Sequence, residues 1–111
     1  MEALFIVLNH EAHYNELLLA LQEAGIHGGT ILESQGMAGY LAENFSTFKF
    51  SYLGSLLNEG RPYNKTIILV LDKERTEVAK NCVRKVVGDL DQENVGIMFT
   101  FDITSFEGLT K

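Results

Sequence analysis

Two segments of this chain are apolar at consecutive positions, and they limit what it can fold into more than any other feature. Ala3-Leu4-Phe5-Ile6-Val7-Leu8 and Lys65-Thr66-Ile67-Ile68-Leu69-Val70-Leu71 are short and rich in β-formers. They also lack the alternation of a half-exposed strand, so each reads as a strand buried on both faces. No apolar run approaches the ~20 residues that a membrane helix requires. Membrane insertion is therefore not expected.

The rest of the chain supplies two helical patterns and two weaker strands. From about Tyr14 to Ala24, the residues Tyr14, Leu17, Leu18, Leu21 and Ala24 recur at helical spacing, and Gly25 is the stop. Asn9 could cap an earlier start, which leaves a beginning near His10 open. Asp72 is a good N-cap for a helix running to about Val87, with Val78, Ala79, Cys82, Val83 and Val86 on one face and Gly88 at its end. Thr30 to Gln35 reads as a polar edge strand and Gly96 to Ile103 as a final strand. The resulting order is strand, helix, strand, long connection, strand, helix, strand. It predicts an α+β fold, the ferredoxin-like split βαβ (β-α-β-β-α-β) two-layer sandwich with an antiparallel four-stranded sheet. At 111 residues with 46% hydrophobic positions, a single domain over 1–111 is expected.

This arrangement leaves a face without cover. Two helices cover one side of a four-stranded sheet, yet the first and third strands are apolar at both even and odd positions. Another copy of the chain is the economical cover, so the pattern predicts a homo-oligomer. The connection from Gly36 to Asn64 is too long for a hairpin turn, and its aromatics argue for partial order. Phe48, Phe50 and Tyr52 alternate like a strand, whereas Phe45, Phe48, Tyr52 and Leu56 are spaced like a helix face. These competing periods leave the segment unassigned.

Charge and reactive residues narrow the function. A formal net charge of -6, with no basic cluster longer than Arg84-Lys85, argues against nucleic acid as a partner. The lone Cys82 cannot form an intrachain disulfide, and the first residues lack a basic n-region, so a reducing cytoplasmic setting is expected. His10, His13 and His27 lack the ligand spacing of a zinc site, and no metal site is expected. Cys82 falls on an apolar helix face, where a thiol acts as a small hydrophobe. Asp89-Leu90-Asp91-Gln92-Glu93 reads as a solvated loop rather than a catalytic pair. No catalytic residues stand out, and the expectation is a protein that is not an enzyme.

The glycine-rich turn is the more specific signal. Ala20-Leu21-x-Glu23-x-Gly25-Ile26-x-Gly28-x-Thr30-x-x-Glu33-x-x-Gly36 resembles the first helix and second strand of the PII nitrogen-regulatory signalling family. Pro62-Tyr63-Asn64-Lys65-Thr66-Ile67 resembles that family's entry into its third strand, and Gly96-Ile97-Met98-Phe99-Thr100-Phe101-Asp102-Ile103 its final strand. The resemblance implies a divergent PII-like regulator without chemistry of its own. It would be a homotrimer holding a small effector in clefts between subunits, with the 36–64 connection as the equivalent of the T-loop that docks on target proteins. Gly28, Thr30, Gly36 and Met37 occupy the matching positions on one wall of that cleft. Gly88 and Gly96 bound the segment that matches the family's phosphate-binding loop.

An adenine nucleotide is the effector that the resemblance implies, but the basic residues that would hold its phosphates are missing. The phosphate loop is replaced by the acidic Gly88-Asp89-Leu90-Asp91-Gln92-Glu93, and the family's Arg-x-Arg by Gly108-Leu109-Thr110. Lys49, Arg61 and Lys65 are the cations that could replace them if the connection folds over the cleft. Otherwise ATP should bind poorly. Tyr40, Tyr52 and Tyr63 do not match the family's modifiable tyrosine motif. The alternative reading is a CutA-type trimeric metal-binding protein of the same architecture.

Overall fold

The computed structural model describes residues 1–45, 57–58, 61–91 and 95–109. The two doubly apolar segments are β1 (Glu2–Leu8) and, later in the chain, β5 (Lys65–Leu71). They pair antiparallel at the centre of a four-stranded sheet, from Glu2 opposite Leu71 to Leu8 opposite Lys65. The edge strands are β2 (Thr30–Glu33), paired antiparallel to β5, and β6 (Gly96–Asp102), paired antiparallel to β1. The spatial order is β2-β5-β1-β6. This is the ferredoxin-like α+β arrangement that the element order predicts.

Helices α1 (Glu11–Glu23) and α3 (Lys73–Val87) pack side by side on one face. The core lies between them and the sheet, and its fully buried members include Leu4, Ile6, Leu8, Leu17, Ile67, Leu69 and Val83. Alternation along β1 assigns Leu4, Ile6 and Leu8 to this face and Ala3, Phe5 and Val7 to the other. Burying each of the larger aliphatic side chains is worth roughly 1.5–3 kcal/mol, which makes this layer the main source of stability.

The helix limits follow from their caps. The Asp72 carboxylate accepts a hydrogen bond from the Arg75 amide at 2.8 Å and starts α3 as expected. Gly88, at a φ of 80°, turns the chain away at its end. α1 starts at Glu11, earlier than the Tyr14 of the strongest periodicity; its N-cap is His10 and no side chain caps it, Asn9 being outside the cap position with its Oδ1 accepting from Asn64 Nδ2. Ala24 lies past the end of α1 and is exposed. On α3, Val78 is 42% exposed and Thr76 takes the buried place, its hydroxyl donating to the Asp72 carbonyl at 2.8 Å. The helix phase thus excludes Val78 from the face assigned to it, because a threonine that satisfies its own hydroxyl can replace an aliphatic residue there.

Two further differences concern β2 and the long connection. β2 ends at Glu33 rather than Gln35, because Ser34 turns out of the ladder to bond Asn64 and Thr66. The connection contains α2 (Met37–Asn44) and a short hairpin of β3 (Leu57–Asn58) and β4 (Arg61–Pro62), a separate two-stranded sheet. The expected pattern around Phe48, Phe50 and Tyr52 lies outside the described residues, as does Lys49. No helix among the described residues is long and apolar enough to cross a membrane.

Candidate functional site

The six residues singled out from sequence form two groups within one chain. Leu8 faces both Gly96 and Lys65, and Lys65 faces Glu33, so the ends of β1 and β2 and the starts of β5 and β6 lie at one end of the sheet. Gly36 and Met37 follow β2 at that end, and Gly88 arrives there when α3 returns from the far end of β5. Gly96 opens β6 on the backbone of β1, where an added Cβ would lie 2.4 Å from the Val7 carbonyl oxygen. Gly28 and Thr30 lie further along the β2 edge, with Thr30 opposite Ile68.

At the first end, a polar network ties the two ends of the long connection together. Ser34 Oγ donates to Asn64 Oδ1 and shares a 2.8 Å hydrogen bond with Thr66 Oγ1, while Asn64 Nδ2 donates to Asn9 Oδ1 at 3.0 Å. Asn64 thereby connects the ends of β1 and β2 to the start of β5. Gly36 packs on it, since a Cβ there would meet Asn64 Nδ2 at 3.6 Å. Met37 follows as the first residue of α2 and is 78% exposed, presenting a flexible apolar side chain beside the network.

An ionic and aromatic group adjoins this network. Lys65 pairs with Glu33, and its Nζ lies 5.8 Å from the centre of the Tyr14 ring, which meets Tyr63 edge-on at 6.3 Å. The hydrogen bond and charge of Lys65 hold the Glu33 carboxyl below its ordinary range, and the bond to Glu33 raises Lys65. Partial burial pushes the Tyr63 phenol up, against the opposing charge of Lys65. Lys65 is therefore engaged within its own chain. His10 and His13 meet edge-on at 5.3 Å, but no three His, Cys, Asp or Glu side chains converge among the described residues.

The Gly28–Thr30 turn is flanked by open space on both sides. One pocket, of about 180 Å³, lies on the helix side beside Leu21, Ile26 and Ile67. The other, of about 240 Å³, wraps the corner of the sheet between Thr30, Val70, Leu71, Arg75 and Leu109. Sequence reasoning missed Arg75 and the Ser34–Asn64–Thr66 network. No local motif marks either one, because each depends on contacts 30 to 50 residues apart, from Ser34 to Asn64 and from Arg75 to the Gly25 carbonyl.

The sheet face opposite α1 and α3 carries apolar side chains that stay partly exposed among the described residues. Phe5 stacks on Phe99 at 5.2 Å and meets Phe101 edge-on at 5.5 Å, and the pairing places Ala3, Val7, Ile68, Val70 and Ile97 on the same side. Phe101 and Ile97 are each 55% exposed in the single chain.

No family model and no curated protein matches this chain. Among solved structures, the crystal structure of Arabidopsis thaliana PII bound to citrate is similar, with a TM-score of 0.58 and 14% sequence identity over 92% of this chain and 76% of that one. The fold is PII-like. At that identity, likeness extends to the arrangement of strands and helices and not to individual site residues.

Proposed function

We propose that this chain is a non-enzymatic PII-like regulatory protein, one domain over 1–111. It would assemble as a homotrimer, bind a small effector in clefts between subunits, and contact a target protein through the 36–64 connection. The observation that carries this reading is the open apolar sheet face around Phe5, Phe99 and Phe101. Such a patch on a small protein marks an interaction surface, and closed symmetric assembly covers it with identical copies. The resemblance groups Gly28, Thr30, Gly36 and Met37 on one wall, whereas within one chain β2 separates Gly28 and Thr30 from Gly36 and Met37. A cleft between copies would instead join Gly28 and Thr30 of one chain to Gly36, Met37, Gly88 and Gly96 of another. The tied base of the connection, around Asn64, would present Met37 and α2 from a rigid support.

An adenine nucleotide fits this chain poorly. The described part of the segment after Gly88 offers carboxylates, Asp89 Oδ1 accepting from the Asp91 amide, and Lys65 is committed to Glu33. A small effector with fewer charges suits the site better. Light scattering should report three chains per particle. A thermal-shift panel of ATP, ADP, 2-oxoglutarate, bicarbonate and divalent cations should show little effect of ATP, because a ligand raises the melting temperature only as far as it binds the native state. A monodisperse monomer at micromolar concentration would overturn the trimer.

A further inference from the structure

Arg75 stands on the first turn of α3, and its Nη2 donates to the Gly25 carbonyl at 2.9 Å, across 50 residues of chain. That bond holds the guanidinium against the turn between α1 and β2. Lys65, Lys80 and Arg84 each pair with a carboxylate, whereas no ion pair among the described residues includes Arg75. Asp72, its neighbour in sequence, directs its carboxylate to the Arg75 backbone amide. A guanidinium carries five N–H donors in a planar fork, so the edge not facing Gly25 remains available to an acceptor.

The same side chain borders the corner pocket of about 240 Å³, where it is the one Lys or Arg among the described residues, the other walls being the apolar Ile26, Ile68, Val70, Leu71 and Leu109, the imidazole of His27 and the Gly28–Thr30 turn. We propose that this pocket binds a small molecule bearing one anionic group on an apolar body, and that Arg75 recognises the charge. The proposal rests on the effector-binding reading above and names the ligand class. One cation limits the ligand to one strong charge, because further anionic groups would be desolvated without a partner in a chain of net charge -6. The volume lies below the range of about 300–1,000 Å³ usual for drug-sized ligands, so the apolar body is a single ring or a short chain. A carboxylate suits the fork geometry, which favours paired acceptors.

Phenylacetate and its uncharged analogue phenylacetamide have nearly the same shape and test the charge directly. In a ¹⁵N NMR titration, phenylacetate should shift the Gly28, Gly29 and Thr30 amides saturably and bind at least about tenfold tighter than phenylacetamide, as expected for a charge-assisted contact. Arg75→Gln should abolish that preference while leaving the circular dichroism spectrum unchanged, and Arg75→Lys should restore part of it. Equal affinity for the two probes, a preference that survives Arg75→Gln, or shifts confined to Phe5, Phe99 and Phe101 would overturn the assignment. Light scattering on the same samples separates this result from the assembly: a trimer without phenylacetate binding rejects the Arg75 site alone, and a monomer with Arg75-dependent binding rejects the trimer alone.

Discussion

Gly96 combines a φ of 154° with a Cα packed on β1, where a Cβ would lie 2.4 Å from the Val7 carbonyl oxygen. Gly96→Ala should therefore destabilise the protein by at least ~1–3 kcal/mol, the usual cost of a strained backbone, and chemical denaturation would measure it. That glycine was legible in the sequence as a site candidate, but its evident task in the single chain is to let β6 approach β1. The Glu33–Lys65 pair gives a second residue-scale test. Glu33 is held below its ordinary value of 4.5, so its contribution is present above that value and is lost as pH falls through the lower folded value. Lys65 is raised above 10.5, so its contribution is present below 10.5 and disappears as pH rises through the higher folded value. Lys65→Met should return Glu33 upward and raise Tyr63 further, since the lysine charge opposes the shift of that phenol. Carboxyl and ring ¹³C titrations would follow both groups.

Elements whose hydrophobic period agrees with their caps were legible from sequence, and α3, with Asp72 at one end and Gly88 at the other, is the clearest. α2 was not. Its eight residues include Gly39, its N-cap Gly36 makes no side-chain bond, and the neighbouring aromatics offer competing strand and helix periods. The network at the base of the connection was hidden for a different reason. Ser34, Asn64 and Asn9 are ordinary turn residues until the sheet brings β1, β2 and β5 to one end. Asn64→Ala removes two of its side-chain bonds and should cost about 1–2 kcal/mol. Hydrogen exchange should accelerate at residues 34–37 and remain slow in the centre of β1, showing that the network fixes the connection rather than the core.

For the whole molecule, the open sheet face sets the expected behaviour. Phe101→Glu places a charge on that face without entering the helix-side core, so it should convert the proposed trimer to monomers with a native circular dichroism spectrum. Light scattering would report the change in mass. This face was legible because apolar residues at consecutive strand positions leave both sides of a sheet needing cover. Which atoms would meet across it in the proposed trimer depends on register between copies, which a single sequence does not encode in local pattern. The pairing of β1 has a further consequence, in time rather than space. β1 is made before both of its partners, which begin at Lys65 and Gly96, so neither ladder can close until the intervening chain is available. Folding is therefore governed by distant contacts and should be slow for a chain of this length. During synthesis, Leu4 to Leu8 lack both strand partners until those segments have been made, which lengthens the time that apolar surface spends uncovered.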